Sequence, residues 1–428
     1  MSAWLYLLAW VGTLADQLAG VRLAGVAAGL AILGFLLIEL RRQRPALRLV
    51  FLGLVGAGLV GVAFAAHPGA VFLAAWRRGA AYGAFFLALG ALRDAAETSV
   101  LVRRCGRHLV AQPAGRRSLA VMGGGHLFGM ILSYGAIDLL GAMIARAEGR
   151  AVTLRRRVMM LAAYRGFATM NCWSPLNIMT VVVSAAVPAA AMRPLMLPGF
   201  GMAMAMLGVA WWEARSQTPA GEARAAASGE RWTIHLRIVL LVLLVMALAE
   251  VVSGGFGVAL SVGVTAAAPA VAAGWVLVQL RRRRVRLGLL WRRVRRFRAR
   301  VPAFRGEAAV LGAGGFLGVA LGAALPAGGV APLLAHLALP AVAVPLLVPV
   351  VLLATGLMGL NPIAIVAVIG AAVPDPLALG VAPSVLAFAC MLGWGVAVGM
   401  TPMSASALTT ARWLESAQYH DGGGVGGG

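Results

Sequence analysis

The sequence predicts an all-α, polytopic membrane protein with about 10–12 helices that cross or enter the bilayer. The chain has 428 residues, of which 61% are hydrophobic and 12% are charged, and its mean hydropathy is +0.89. Soluble domains average about 45–50% apolar and about 25% charged residues, so a soluble fold could not keep this much apolar surface from water. The basic residues also cluster between long apolar runs, as they do in the loops of multi-pass membrane proteins.

The formal charge of +23 comes from arginine alone, since the chain contains no lysine. Such a charge indicates nucleic-acid binding in a soluble protein. Here the arginines flank apolar runs, where the positive-inside rule places cytoplasmic loops, so we expect no nucleic-acid partner and contact with anionic lipids. The missing lysine and the abundance of alanine, glycine, valine and leucine are typical of a GC-rich bacterial genome, which predicts a location in the bacterial inner membrane.

In chain order, the N-terminal half begins with an interfacial segment at 4–14. Its predicted spans are 23–40, 50–66, 70–92, 158–187 and 195–212. The predicted spans of the C-terminal half are 236–252, 256–280, 308–325, 333–351, 352–373 and 384–413. The chain is thereby divided into a membrane half at 1–212, a polar cytoplasmic linker at 213–235, a membrane half at 236–413 and a flexible glycine-rich tail at 414–428. A cytoplasmic loop at 281–305 carries twelve arginines and anchors the topology.

The length and flanking charges of residues 118–145 predict a re-entrant hairpin. This segment of 28 residues lies between two arginine clusters, Arg116 and Arg117 before it and Arg146, Arg150 and 155–157 after it. One crossing would put a cluster outside, against the positive-inside rule, whereas two full crossings need roughly 40 residues. A hairpin that dips in and returns satisfies both constraints. The alternative is an ordinary tilted span with one misplaced cluster.

Three sites combine a proline in an apolar run with small polar side chains. They are Asn171 with Ser174-Pro175-Leu176-Asn177, then Asn361-Pro362, and then Thr401-Pro402-Met403-Ser404-Ala405-Ser406. Proline removes a backbone hydrogen bond, and the freed carbonyls suit a cation such as Na⁺. The N-terminus of the following half-helix presents amide N–H groups to an anion.

The first and third of these sites lie in similar segments, GFATMNCWSPLN (166–177) and GWGVAVGMTPMS (393–404), late in each half. Paired interruptions of this kind predict a transport site. The simpler alternative is a set of proline kinks in structural helices, with serine or threonine bonded back to the backbone.

Three short motifs resemble the ion transporter superfamily of secondary carriers, which includes the large permease subunits of TRAP carriers and the divalent anion:sodium symporters. The motifs are GMTPMSAS (399–406), GLNPIAIV (359–366) and WSPLN (173–177).

The resemblance implies two inverted repeats, one in each half, each with a re-entrant hairpin and an unwound helix. It also implies elevator-type movement of organic anions coupled to Na⁺ or H⁺. Carried over by position, Ser174, Asn177, Thr401 and Ser404 would surround ion and substrate. Met403 stands where TRAP subunits have a second proline, and the Ser-Asn-Thr signature of the sodium symporters is absent. Substrate and coupling ion therefore stay open.

Charged side chains inside spans are functional candidates because they are costly in a bilayer. Asp138 lies in the predicted hairpin, twelve residues after His126. It either takes part in proton or Na⁺ coupling or pairs with an arginine near the interface. Arg165 precedes the first break and either holds a substrate carboxylate through its planar guanidinium or anchors the span at the cytoplasmic side.

These observations favour a secondary active transporter for a small, carboxylate-like organic anion, with Na⁺ or H⁺ as coupling ion, no other cofactor and no catalytic residue or metal site. A P-loop motif requires a lysine, so the energy would come from an ion gradient or a partner. The alternatives are a membrane subunit of a multi-component transporter or channel, and a lipid-modifying membrane enzyme. With 14 acidic residues and no DxxD or HExxH motif, the sequence offers little for an enzyme. A homodimer or accessory transporter subunits are the expected protein partners.

Overall fold

The computed structural model describes residues 2–43, 45–148, 153–216, 229–281, 287–325, 340–401 and 405–415. Within these ranges the regular secondary structure is helical and contains no strand, so the all-α prediction is confirmed. The first helices are α1 (Ser2–Ala19), α2 (Arg22–Leu40), α3 (Pro45–Ala63), α4 (Pro68–Glu97), α5 (Val100–Val110), α6 (Ala114–Leu132), α7 (Gly135–Glu148), α8 (Leu154–Met170), α9 (Ile178–Ala186) and α10 (Met192–Ser216). They are followed by α11 (Thr233–Phe256), α12 (Leu260–Arg281), α13 (Leu287–Arg300), α14 (Arg305–Ala324), α15 (Ala343–Leu357), α16 (Pro362–Ala372), α17 (Pro383–Met400) and α18 (Ala405–Glu415).

The described residues contain six helical stretches that are long and apolar enough to cross a membrane. These are Arg22–Leu40, Met192–Arg215, Thr233–Phe256, Leu260–Arg281, Gly288–Ala324 and Pro383–Met400. Shorter apolar helices are Leu47–Ala63, Ala343–Leu357 and Pro362–Ala372. This mixture of long and short apolar helices is the pattern of a multi-pass membrane protein with discontinuous helices.

Helices α1–α4, α12 and α14 form a bundle around the long helix α4, and we call it the scaffold bundle. Helix α4 approaches α14 so closely that a Cβ at Gly79 would lie 2.8 Å from the carbonyl oxygen of Gly312. The buried hydroxyl of Tyr6 on α1 donates to the carbonyl of Gly83 at 2.7 Å. Small residues at helix contacts are expected in a membrane, where dispersion and hydrogen bonds rather than water exclusion hold helices together.

One end of the scaffold bundle is rich in arginine. The end of α2 meets the start of α14 there, because the Gln43 side chain donates to the carbonyl of Arg305 at 3.0 Å. The end of α12 meets the end of α4, where Gln279 donates to the carbonyl of Ala95 at 3.0 Å. The positive-inside rule predicts that this arginine end faces the cytoplasm.

Helices α6 and α7 form hairpin 1, which turns at Ser133-Tyr134. Ser133 has a positive φ of 50°, which allows the chain to reverse. At the open end, Arg117 of α6 lies 3.5 Å from Glu148 of α7, so the two flanking arginine clusters are on the same side. The segment is therefore a helical hairpin, as the charge pattern predicts, and not a single tilted span.

Helix α8 runs parallel to α6 along a seam of glycines. A Cβ at Gly125 would lie 2.2 Å from the carbonyl oxygen of Ala163. Four residues further along each helix, a Cβ at Gly129 would lie 3.1 Å from the Phe167 ring. Equal spacing in the same order on both helices shows that they point the same way.

The C-terminal half repeats this arrangement. Helices α15 and α16 form hairpin 2, which turns at Gly359 with a φ of +82°. Helix α17 runs parallel to α15, because Gly393 meets Pro349 and the later residue Thr401 meets Gly356.

The two arrangements are inverted relative to one another. Helices α8 and α17 cross with Gly395 against Cys172 and Gly399 against Ala168, so the sequence order is opposite on the two helices. Helix α9 packs on α16 of hairpin 2, and α18 packs on α7 of hairpin 1. This reciprocal packing is the expected result of two inverted repeats that share one centre.

Two neighbouring glycines of α6 test the close approach of α6 and α8. We expect Gly125→Ala to lower the free energy of unfolding by about 1–3 kcal/mol, since the new methyl group overlaps the α8 backbone. Gly123→Ala, whose Cβ would meet nothing within 4 Å, should be neutral or stabilise by up to about 1 kcal/mol through helix propensity. Thermal unfolding of both purified variants in detergent measures the difference. Equal melting temperatures for the two variants would contradict this packing.

Candidate functional site

The first unwound segment, 171–177, separates α8 from α9. The helices have 17 and 9 residues, and each is shorter than the roughly 20 residues that one crossing requires. Pro175 has no N–H and cannot continue α8. The chain closes the end of α8 with a turn in which the Ser174 N–H donates to the Met170 carbonyl at 3.1 Å.

Two asparagine side chains bridge this unwound segment. The amide of Asn177 donates to the side-chain oxygen of Asn171 at 2.6 Å. Asn171 in turn donates to the carbonyls of Phe167 and Ala168, at 3.1 and 3.0 Å, in the last turn of α8. The side-chain oxygen of Asn177 accepts from the N–H of Met179 at 3.0 Å and caps α9. We call this pair the asparagine bridge.

Ser174 lies at the centre of the same segment and is 0% exposed. Its hydroxyl oxygen accepts from the N–H of Leu176 at 3.3 Å, and its carbonyl accepts from the Thr180 hydroxyl at 2.8 Å. The buried Pro175 follows directly. These bonds show how small polar side chains replace the missing helical hydrogen bonds, as a break inside a bilayer requires.

The turn of hairpin 2 presents a second asparagine cap. The side-chain oxygen of Asn361 accepts from the N–H of Ile363 at 2.9 Å, and Pro362 occupies the first helical position of α16. Proline is favoured there because that N–H has no partner within the helix. Helices α9 and α16 thus begin in the same way, at an asparagine that follows non-helical backbone.

Helices α9 and α16 pack together near their C-terminal ends. A Cβ at Gly370 would lie 2.4 Å from the carbonyl oxygen of Ala186. Gly370 is nine residues after Asn361, and Ala186 is nine residues after Asn177.

Contacts with the scaffold bundle show that these two helices are parallel. Ile363 meets Gly314 of α14, and the later Ala367 meets Gly318, so α16 follows the direction of α14. Helix α9 has the same direction. Its Val181 carbonyl accepts from the Tyr82 hydroxyl at 3.4 Å, near Gly315, whereas its later residue Ala186 meets Gly370, further along α16. The two asparagine caps are therefore at the same depth, about midway along α14.

Helix α17 ends at Met400 and Thr401 is not helical, while Pro402, Met403 and Ser404 lie outside the described residues. Thr401 is buried, and its methyl carbon would lie 2.6 Å from a Cβ at Gly356, next to the turn of hairpin 2. Gly395, which touches Cys172, precedes Thr401 by six residues, or about 9 Å of helix. The crossing of α8 and α17 thus brings Thr401 near the first unwound segment. Ser406 is buried in α18, and its carbonyl accepts from the Thr410 hydroxyl at 2.9 Å.

The two charged candidates lie to the side of this region. Arg165 forms an ion pair of 2.9 Å with Glu213 near the end of α10, and both side chains are partly exposed. Asp138 is exposed in the first turn of α7, where the helix dipole favours a carboxylate, and it accepts from the Trp413 indole N–H at 3.1 Å.

Sequence reasoning missed that His126 contacts the first unwound segment. The Trp173 indole N–H donates to Nε2 of His126 at 3.0 Å, so Nε2 carries no proton. Nδ1 of His126 lies 3.1 Å from the Thr169 hydroxyl, which donates to the Gly166 carbonyl at 3.0 Å. This series of hydrogen bonds requires a neutral imidazole with its proton on Nδ1, and it connects hairpin 1 to the break in α8.

The arrangement offers backbone and amide groups to a ligand. The side chains named at the unwound segments and at the hairpin 2 turn are uncharged. Each helix N-terminus contributes about half a positive charge, and two of them at one depth suit an anionic group such as a carboxylate. The ends of α8 and α17 contribute carbonyl oxygens, which suit a hard cation. No cluster of three His, Cys, Asp or Glu residues that could hold a metal ion occurs in the described part of the chain.

The structure is similar to that of a known transporter. The crystal structure of the Alcanivorax borkumensis YdaH transporter, described as having an unusual topology, has a TM-score of 0.53 and 19% sequence identity, and the match covers 79% of this chain and 78% of that chain. At this identity the likeness concerns the fold. No family model and no curated protein sequence matches the chain. The chain thus has a transporter-like, multi-pass membrane fold.

The asparagine bridge predicts unequal effects of two asparagine substitutions. Asn361→Ala removes a helix cap and should lower the free energy of unfolding by about 1 kcal/mol. Asn177→Ala removes a cap and also leaves the buried side-chain oxygen of Asn171 without a donor. We therefore expect the free energy of unfolding to fall by about 2–4 kcal/mol. Chemical unfolding in detergent compares the two. A smaller loss for Asn177→Ala than for Asn361→Ala would contradict the bridge.

Proposed function

We propose that the protein is a secondary active transporter that moves a small, carboxylate-like organic anion across the bacterial inner membrane. The observation that supports this most is the parallel placement of α9 and α16, whose asparagine-capped N-termini lie at the same depth in the molecule. Two positive helix ends inside a low-dielectric bundle attract an anion much more strongly than they would in water. A carboxylate matches them in charge and in its capacity to accept several N–H bonds.

The coupling ion in this proposal is Na⁺ or H⁺. The backbone at the ends of α8 and α17 leaves the helical pattern beside the anion site, and carbonyl and hydroxyl oxygens are Na⁺ ligands of the usual kind. A bound cation there would offset the charge of the anion, which gives a physical reason for joint movement. Relocation of the inverted repeats against the scaffold bundle would then expose the site to either side.

The proposal includes a relationship to the ion transporter superfamily. Support comes from the motifs at 173–177, 359–366 and 399–406 together with the inverted packing of hairpins 1 and 2 around two broken helices. Within this scheme, Ser174, Asn177, Thr401 and Ser404 surround ion and substrate. The chain would work alone, as a homodimer or with accessory subunits.

Uptake into proteoliposomes tests the proposal. Purified protein is offered labelled mono-, di- and tricarboxylates, with Na⁺ and pH gradients applied separately. We expect gradient-dependent uptake of at least one carboxylate. We expect Ser174→Ala/Asn361→Ala to reduce its rate by at least about ten-fold, since hydrogen bonds to a charged group are worth about 1.5–3 kcal/mol. Thr401→Ala/Ser404→Ala should reduce it similarly.

A matched control changes the same kinds of side chain away from the site. Ser184 in α9 and Thr265 in α12 donate to carbonyls of their own helices, so Ser184→Ala/Thr265→Ala should transport normally. Wild-type rates in both site variants would refute the proposed site. Flux that runs only down the gradient of the anion itself would favour a channel, and uptake that requires a second protein would favour a subunit of a larger transporter.

A further inference from the structure

Helix α13 contributes an arginine-rich surface at the arginine end that the transport proposal does not use. One side of α13 is fixed to the rest of the molecule. Phe297 packs on the core, and Arg300 pairs with Asp94 at 2.8 Å and also with Glu97, at the end of α4. The guanidinium of Arg298 lies 5.6 Å from the ring centroid of Trp4.

The opposite side of α13 is exposed. Trp291, Arg292 and Arg295 lie on one face, since residues three and four apart are neighbours on a helix. Trp291 is 56% exposed, and the Arg295 guanidinium lies 6.0 Å from its ring centroid. Arg292 donates to the carbonyl of Gly288 in its own helix at 3.3 Å. Within the described residues neither arginine is paired with a carboxylate.

This exposed face combines two features that suit the surface of a bilayer. An exposed tryptophan is favourable at the headgroup level of a bilayer, where its amphipathic ring is half solvated. Unpaired guanidinium groups bind phosphate oxygens with two parallel hydrogen bonds. The cytoplasmic leaflet, which the arginine end faces, is the leaflet that carries anionic lipids.

We propose that Trp291, Arg292 and Arg295 form a binding site for the phosphate headgroups of anionic phospholipids. The two guanidinium groups hold the phosphate, and the indole lies at the boundary between glycerol and acyl chains. Helix α13 is rich in arginine and also carries Trp291 and Phe297, as interfacial helices carry basic and large apolar side chains. This site is separate from the anion site between α9 and α16, and it does not depend on what the protein transports.

The lipid site is connected to hairpin 1 through a chain of charges. Arg300 holds Glu97, and Glu97 accepts from Arg93 at 3.0 Å. The same Arg93 group would lie 3.1 Å from a Cβ at Gly135, next to the hairpin turn. Lipid bound to α13 therefore supports the end of α4, and this end of α4 contacts hairpin 1, which moves in the proposed transport cycle.

A lipid titration of the detergent-solubilised, full-length protein tests the site. The probes are fluorescent phosphatidylglycerol and, for comparison, fluorescent phosphatidylcholine. We expect tighter binding of the anionic lipid to the wild type. Arg292→Gln/Arg295→Gln should weaken it by about 25-fold, since each arginine near an anionic surface contributes about five-fold. Inorganic phosphate should not displace the lipid, because it lacks the glycerol and acyl groups that contact Trp291.

The matched control is Arg116→Gln/Arg157→Gln, which removes the same charge from two exposed arginines at the open end of hairpin 1. We expect its affinity to stay within about two-fold of the wild type. An equal loss in this control, or unchanged affinity in Arg292→Gln/Arg295→Gln, would overturn the proposal. Melting temperatures without lipid check the fold. Arg295→Gln alone, with an expected five-fold loss, serves if the double variant is unstable.

Discussion

The need to satisfy every backbone hydrogen-bonding group inside a bilayer governs the centre of this molecule. Each unpaired N–H or C=O in hydrocarbon costs several kcal/mol, so a helix can be interrupted there only where side chains take over its bonds. Asn171 and Asn177 do this at the first break, together with Ser174 and Thr180. Their bonds fix where α8 ends and where α9 begins, and these two points set the position of the proposed site.

Close approach of helices is the second requirement. Lipid tails are as apolar as the side chains of the helices, so burial of a side chain between two helices gains no hydrophobic free energy. Helices in a membrane therefore associate through tight packing of small residues. Gly166 shows how closely two helix backbones approach here, because a Cβ at this position would lie 2.0 Å from the carbonyl oxygen of Met122. Similar contacts join α8 to α17 and α9 to α16. The inverted repeats thus meet through backbone, which keeps Thr401 near the first unwound segment.

Several features could be predicted from the sequence because they depend on local pattern. The apolar runs predicted helices, and the arginine clusters on both sides of residues 118–145 predicted hairpin 1, which the ion pair between Arg117 and Glu148 closes. The prolines marked two of the breaks, since Pro175 lies between α8 and α9 and Pro362 opens α16 after the turn of hairpin 2.

Other features depend on contacts between distant parts of the chain. Nothing in the pattern around His126 indicates that it accepts a hydrogen bond from Trp173, 47 residues later. The division of the sequence into two halves also does not show that helices of the two halves interleave, with α12 and α14 packed on α4. Such partners are chosen by shape and hydrogen-bond direction, which a single sequence does not display.

Composition and the placement of arginine and proline by themselves determined that this chain is helical, lies in a membrane, turns back at hairpin 1 and breaks at two points. These properties follow from transfer free energies and from backbone chemistry, which act on each segment separately. Only the tertiary structure decided that the caps at Asn177 and Asn361 lie at one depth, because their alignment rests on the contact between Gly370 and Ala186. That contact joins segments almost two hundred residues apart, and the dipoles of two helices can act on one anion only when such a contact brings them together.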